Sequence, residues 1–558
     1  MITKRNKLLN ILFAVVLAVL FSCSENQQLT FSVAPVIKNN PNESVPLTAY
    51  LDFETPQDYD SVFISLDEDG QISELCYRKE EKKETGYLLM LMTANKKLKI
   101  DFRLKDKNGK EYYSNKELSF KTPALPADDK LFPKIEITKN LKKSNDELIL
   151  FNPRRRLPIA QEGSNRFNQI FGMLVIINQS GEVLWYYQTN SRISDFDRLP
   201  DGNISYITQD NRIAVIDLAG NIINEWYAVN RPQKGETDAI PVEAQTFHHD
   251  VSFLPNGNRL VLSTEAREID NYYTSEADKN APRKKQKVIG DVVVEFNPEG
   301  KVVYSWSAFD KMPVWRIGYE TFNDYWARRG YPGSVDWSHA NAVIPLPGED
   351  AFLVNFRHQS AMIKVNKSTG NIDWIFAEPS GWNKELEDKL LEIPKDGWNW
   401  HQHSPRFTEN GNLLFFNNNN FKARPFKETS PIKDCPSYIV EYKINEKDKT
   451  VEKVWSTEND GEDLVFSIAM GRVSELPETG NILACYGALL DSNYFDQMTW
   501  WNRGKFRQWT MVREYTHTEK PKVVWEMQLH PLTSDSKVGW TLFGAECIEI
   551  TNVNKSNM

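Results

Sequence analysis

Two strand-turn-strand units alternate along most of this chain, and their alternation limits what the chain can fold into. From Phe151 onward the first unit recurs six times: "MLVIINQSGEVLWYY", "RIAVIDLAGNIINEWY", "VVVEFNPEGKVVYSW", "AMIKVNKSTGNIDWIF", "YIVEYKINEKDKTVEKVW" and "MVREYTHTEKPKVVWEM". Each joins an apolar strand through a Gly, Asn or Lys turn to a second strand closing near Trp or Tyr. Between them runs the second unit: "DRLPDGNISYI", "SFLPNGNRLVL", "VIPLPGEDAFLV", "RFTENGNLLFF" and "SELPETGNILAC". Repeats of this kind cannot bury an apolar face alone and must stack on their neighbours. The pattern predicts an all-β chain whose main body is a six-bladed β-propeller, with seven as the runner-up count. Its blades are longer than those of the common forty-residue families. Insertions are therefore expected at Arg267–Gly290, Pro313–Ser334 and Glu378–Asn399.

The flanking sequence sets the remaining organisation. Residues 1–23 have a basic start, an apolar run from Leu8 to Phe21, and Ser22-Cys23 at its end. That run is short for a membrane span and reads as a signal peptide. Its end resembles a bacterial lipoprotein processing site, which implies a lipid on Cys23 and a periplasmic or outer-membrane-anchored location. Residues 24–134 carry short alternating strands and are expected to form an N-terminal β-sandwich domain. The proline-rich "KTPALPADDKLFP" is expected to link it to the propeller of residues 135–558. Four cysteines follow Cys23, too few for a disulfide scaffold or a thiolate zinc site. The net charge of −9, with both signs spread along the chain, excludes a nucleic-acid partner.

The chain has only eight histidines. Counting six residues back from Pro255, Pro345 and Glu409 reaches His249, His339 and His403. The same step reaches Ser194 and Gly471 in two further repeats. Equivalent positions of a propeller converge at one mouth, so these imidazoles are expected to share a pocket. His401, two residues before His403, would share its face if the segment were extended. Asn341 would likewise share the face of His339, and Arg357 supplies a planar fork of donors. Asp250 points away from His249 and suits a supporting role. His248 reads as a packed residue, and His517 and His530 as ordinary ones. Trp337, Trp398 and Trp400 are candidates for an aromatic rim. Three histidines could bind zinc or iron. Amide and cationic neighbours suit a small anion better, and a neutral imidazole can attack a sulfuryl or phosphoryl centre.

The segments "FHHDVSFLPNGNRLVL", "DWSHANAVIPLPGEDAFLVNFRHQSAMIKV" and "HQHSPRFTENGNLLFFNN" resemble the bacterial arylsulfate sulfotransferase family, whose members use no nucleotide sulfuryl donor. The resemblance runs from about Phe151 to the C-terminus. It implies a six-bladed propeller and transfer of a sulfuryl group from a phenolic sulfate donor to a phenol acceptor. Carried over by position, it makes His403 the nucleophile, His249 and His339 the assisting histidines, and Asn341 and Arg357 the neighbouring donors. A threonine of the family has no counterpart near Ser467. No short-loop disulfide is expected at Cys435, and no cofactor or metal. Pairing into a homodimer stays open.

The implied reaction is ping-pong through a sulfohistidine. An unperturbed His403 would be half neutral near pH 6.5, so activity is expected to rise above that value. Two rival readings are a metal-dependent propeller hydrolase or lyase and a non-catalytic, surface-tethered binding propeller.

Overall fold

The computed structural model describes residues 27–550, apart from 142–146, 157–170, 233–234, 236, 395–396, 459 and 463. The expected signal peptide and Cys23 lie outside the described residues. Nearly all regular structure is β, as the alternating pattern predicts, and Lys384–Glu387 is the one α-helix among the described residues.

Each sequence unit forms strands where it was expected to. Ile193–Arg198, Ile204–Thr208, Arg212–Ile216 and Ile222–Ala228 follow one another antiparallel in a single sheet, with Ile240–Val242 added at its edge. Ala340–Pro345, Ala351–Phe356, Ala361–Asn366 and Ile372–Ala377 repeat the arrangement. So do His403–Phe407, Leu413–Asn417, Tyr438–Asn445 and Thr450–Ser456. Second strands such as Ala351–Phe356 and Leu413–Asn417 are buried at every residue. Their near-continuous apolar sequence follows, because both faces are covered by neighbouring sheets. Outer strands such as Thr450–Ser456 stay largely exposed.

The six-bladed propeller is not what the pairing gives, and that expectation is corrected. The strands fall into eight separate open sheets of three to six strands, and none closes into a barrel or propeller. The physical reason is that a hairpin repeat specifies pairing within a sheet and leaves the relation between sheets to side-chain packing. Two of the eight sheets are built from residues before 122. Their core, including Leu51, Phe53, Ile64 and Phe102, continues without a break into Leu150, Leu174 and Trp185. The strand Lys134–Asn140 pairs with Val523–His530, and Leu148–Arg156 pairs with Gly539–Ile548. Segments far apart in sequence thus share sheets. Arg267–Gly290, expected as an inserted loop, instead largely continues a hairpin of Arg259–Tyr272 and Lys284–Phe296. Of Pro313–Ser334, residues 313–333 do leave the sheets, in turns and a short 3-10 helix at Ala327–Arg329, and Ser334 begins a strand paired with Lys284–Phe296.

The first strands of successive sheets lie against one another. His248–Phe253 packs on Ile193–Arg198 and on Ala340–Pro345, which packs on His403–Phe407, which packs on Arg472–Glu475. Polar side chains stitch these joints. Asp250 accepts from the Val343 amide at 2.8 Å, and Ser404 from the Val473 amide at 3.3 Å. Each of these first strands carries an irregularity in register near its start, except Arg472–Glu475, which follows Gly471. Such bulges re-aim side chains, and here they lie beside the histidines.

Candidate active site

A cavity of about 690 Å³ opens where these first strands begin, and His249, His339, Arg357 and His403 all line it. That size suits a small organic ligand. Left-handed backbone places several of the groups: φ is 60° at His249, 48° at His339, 48° at Ser404 and 63° at Met470. Each such residue costs about 1 kcal/mol or more, and strain of this kind concentrates at functional sites.

His403 is held at both ring nitrogens. Its Nδ1–H donates to Asn418 Oδ1 at 2.6 Å, and its Nε2 accepts from the Met470 amide at 3.2 Å. This pairing fixes the tautomer and puts the Nε2 lone pair against the amide of Met470, which also lines the cavity. Burial, and then the Arg357 guanidinium, push its pKa down to about 3. His403 is therefore a neutral base at ordinary pH.

His339 donates from Nδ1 to the buried carboxylate of Asp336 at 2.6 Å. Its ring stacks on His358 at 4.4 Å and meets His249 edge-on at 4.9 Å. A relay fixes His249. His248 Nε2–H donates to the Ser263 carbonyl at 3.1 Å, so His248 Nδ1 accepts from His249 Nδ1–H at 2.8 Å. His249 Nε2 then faces the Tyr325 hydroxyl at 3.4 Å. Burial holds His249 and His339 well below the usual histidine range, as do the neighbouring imidazoles for His249 and Arg357 for His339. Three neutral imidazoles thus commit their Nδ1–H groups to buried acceptors, and all three residues line the one cavity.

Arg357 pairs with Glu320 at 2.5 Å and donates to the Ile468 carbonyl at 3.2 Å. Glu320 also pairs with Arg503. Burial would raise the Glu320 carboxyl, but Arg357 and Arg503 hold it well below the ordinary range.

Other expected residues lie elsewhere. Asn341 is buried, with its amide donating to the Gln402 carbonyl at 3.0 Å, and it does not line the cavity. It supports the backbone next to His403. The turn of its sheet is built on Leu346, which bonds as Leu254 and Thr408 do in theirs. Pro347 therefore matches Pro255, and the six-residue step reaches Asn341 rather than His339. His339 enters the cavity from two residues earlier, through its left-handed backbone. His401 is also turned by left-handed backbone, with φ at 54°, and packs on Phe421 at 5.2 Å instead of sharing the face of His403. Trp337 is wholly buried, stacked on Phe309 at 4.9 Å, and none of Trp337, Trp398 and Trp400 lines the cavity. Its aromatic wall is Phe171, Phe322, Tyr325, Trp500, Trp501 and Phe543. Ser467 donates to the Ala469 carbonyl at 3.1 Å and is fully buried.

Sequence reasoning missed Asp336, Asn418, Glu320 and Tyr325. "SVDWSH" carried a signal for Asp336, since it lies three residues before His339. Asn418 follows the strand that pairs with that of His403, and Glu320 and Tyr325 come from the segment after Pro313. Among the described residues, two sets of donors are close enough together to hold a metal, with ligand atoms within 4.8 Å: Asp336–His339–His358 and Asp195–Asp197–Asp250. The three cavity histidines do not form such a set. In the first set, Nδ1 of each histidine is already committed to Asp336, to its carboxylate from His339 and to its carbonyl from His358.

Comparison with known proteins points in one direction. Arylsulfate sulfotransferase AssT of Lelliottia amnigena is 30% identical over 145 residues, a stretch covering 23% of each chain. Arylsulfate sulfotransferase AssT of Escherichia coli O6:H1 is 28% identical over 138 residues, covering 22% of each. These alignments span less than a quarter of either relative. A protein of unknown function from Bacteroides caccae is 12% identical, with a TM-score of 0.36 over 71% of this chain and 99% of its own. The profile of the family described as Arylsulfotransferase (ASST) matches residues 134–535. That match takes in most of the chain and every residue of the cavity's histidine constellation, so the chain belongs to the arylsulfotransferase family.

Proposed function

We propose that this protein moves a sulfuryl group from a phenolic sulfate ester to a phenol, through a sulfohistidine on His403. The observation that carries this reading is the state of His403. It is neutral, has a fixed tautomer, and lines a cavity that it shares with Arg357 and two more imidazoles.

In the first half-reaction the Nε2 lone pair forms an N–S bond as the S–O(aryl) bond breaks, and the phenolate leaves with the electron pair. The Met470 amide, freed from Nε2, can then serve a sulfuryl oxygen, alongside Arg357. Donors aimed at charge that develops in the transition state supply the largest share of such catalysis. In the second half-reaction the acceptor phenol loses its proton and its oxygen takes the sulfur back. His339 is placed for the base role, because the Asp336 carboxylate holds its Nδ1–H and leaves Nε2 as the accepting nitrogen. His249 and Tyr325 border the same space.

Incubation with sulfur-labelled 4-nitrophenyl sulfate, with and without phenol, tests the proposal. The wild-type protein is expected to release nitrophenol in a phenol-dependent way, unaffected by chelator, and to carry label on histidine. His403→Ala is expected to lose both donor cleavage and label. Label that persists in this variant removes His403 from the nucleophile's role. Turnover abolished by chelator favours a metal-dependent reaction instead, for which the Asp336–His339–His358 set is the place to look. We also propose a lipid tether at Cys23 in the bacterial periplasm or outer membrane. Among the described residues, no helix is long and apolar enough to cross a membrane.

A further inference from the structure

The cavity has a cation that the proposed sulfuryl transfer does not use. Arg154, on the strand Leu148–Arg156, lines the cavity beside Arg192, Tyr325 and Arg329. Its Nη1 donates to the thioether of Met470 at 3.1 Å, and its guanidinium lies 5.9 Å from the centre of the Phe543 ring. No carboxylate pairs with it among the described residues. This differs from Arg357 and Arg503, which share Glu320. Among the described residues, the carboxylates on the cavity wall are Glu320 and Glu276, and the Glu276 carboxylate accepts from the Phe322 amide at 3.4 Å.

A guanidinium keeps its charge and carries five N–H donors. A thioether and a ring face satisfy little of that demand, and a poorly compensated cation away from bulk water is costly. Burial and the nearby Arg329 lower the Arg154 pKa to about 10, with the Tyr325 hydroxyl opposing them. Arg192 is depressed in turn by burial and by Arg154 and Arg329. Arg154 is thus a poorly compensated charge on this part of the wall, and it favours an incoming anion.

Met470 sets the geometry. Its amide bonds His403 Nε2 while its sulfur bonds Arg154. The two sites are therefore joined through one methionine and line the same cavity, whose volume of about 690 Å³ admits an aromatic ring with a substituent at each end. We infer that Arg154 is a second anion site, and that the aryl acceptor carries a carboxylate or a second sulfate group opposite its reacting hydroxyl. The inference rests on the sulfuryl-transfer reading and deepens it, by naming the class of acceptor.

Acceptor kinetics with 4-nitrophenyl sulfate as donor provide the test, comparing 4-hydroxybenzoate with its uncharged isostere 4-hydroxybenzamide. The wild-type protein is expected to prefer the carboxylate in kcat/KM by about 10-fold or more, the worth of a charge-assisted hydrogen bond. Arg154→Gln is expected to bring the ratio close to one, and Arg154→Lys to restore part of it. A wild-type ratio of one or less overturns the inference. So does an Arg154→Gln variant that slows both acceptors equally, because Arg154 would then be acting on the sulfuryl group. If Arg154→Gln does not fold, the wild-type ratio and Arg154→Lys decide. Failure to release nitrophenol with either acceptor would instead reject the underlying transfer reading.

Discussion

At His403 the imidazole gives its Nδ1 proton to Asn418 and sits near the Arg357 guanidinium, so a second proton meets both burial and repulsion. The charged form is the one disfavoured, which lowers the pKa from 6.5 to about 3. This changes the pH dependence expected from the residue type alone. If His403 is the nucleophile, the reactive neutral form dominates above about pH 4, so acidification from pH 8 to pH 5 should leave the nitrophenol burst rate nearly flat. Stopped-flow measurement of that burst checks it. An acid limb centred near pH 6.5 would show that the ring is solvated and that this environment does not act on the nucleophile.

Among the elements, the segment 313–334 matters most, because it brings Glu320 and Tyr325 to the cavity. It lies directly on the turn after the strand Ala351–Phe356. A Cβ on Gly318 would sit 1.5 Å from the His358 carbonyl oxygen. No rotamer change relieves a clash with backbone, so the segment or the turn must move. Gly318→Ala is expected to destabilise the protein by about 3 kcal/mol, the upper part of the overpacking range. Donor turnover should fall as well, as Glu320 leaves Arg357. Denaturant unfolding and 4-nitrophenyl sulfate kinetics, measured on the same variant, test this. A normal midpoint with normal turnover would mean that the close approach is not maintained in solution.

On the scale of the whole molecule, Arg472 ties three sheets together. It meets Asp195 at 3.5 Å and Asp197 at 2.5 Å on one strand, and Glu546 at 2.7 Å on the strand Gly539–Ile548. Burial raises the carboxyl of Asp195 well above its ordinary value and that of Glu546 to about 7, even though Arg472 opposes the shift. Arg472→Met should therefore leave a knot of like charge and cost about 3–5 kcal/mol, as breaking buried pairs does. The sign of the pH effect follows. Protonation relieves repulsion among carboxylates, so the loss should be larger at pH 8 than at pH 5. Urea unfolding at both values measures it, and equal losses would show that these carboxylates do not titrate as a group.

Part of the site was legible because histidines are scarce and two of them lie at a fixed distance from a recognisable turn. His249 and His403 follow from that pattern, and Arg357 from its place after the strand "AFLVNF". The step that reached His339 was counted from Pro345, when the matching turn residue is Pro347. The cavity nonetheless receives His339, because left-handed backbone turns it inward. Strand alternation likewise misplaced His401 and Asn341, since bulges break the period of two on which facing arguments rely. The sequence by itself determined the strands, their pairing with near neighbours and the all-β class, because apolar period and turn chemistry act over a few residues. Only the tertiary structure decided that the sheets stay open and separate, that Glu320 and Arg154 reach the cavity, and that each imidazole is neutral. These depend on packing and burial among residues up to several hundred positions apart, which no local pattern encodes.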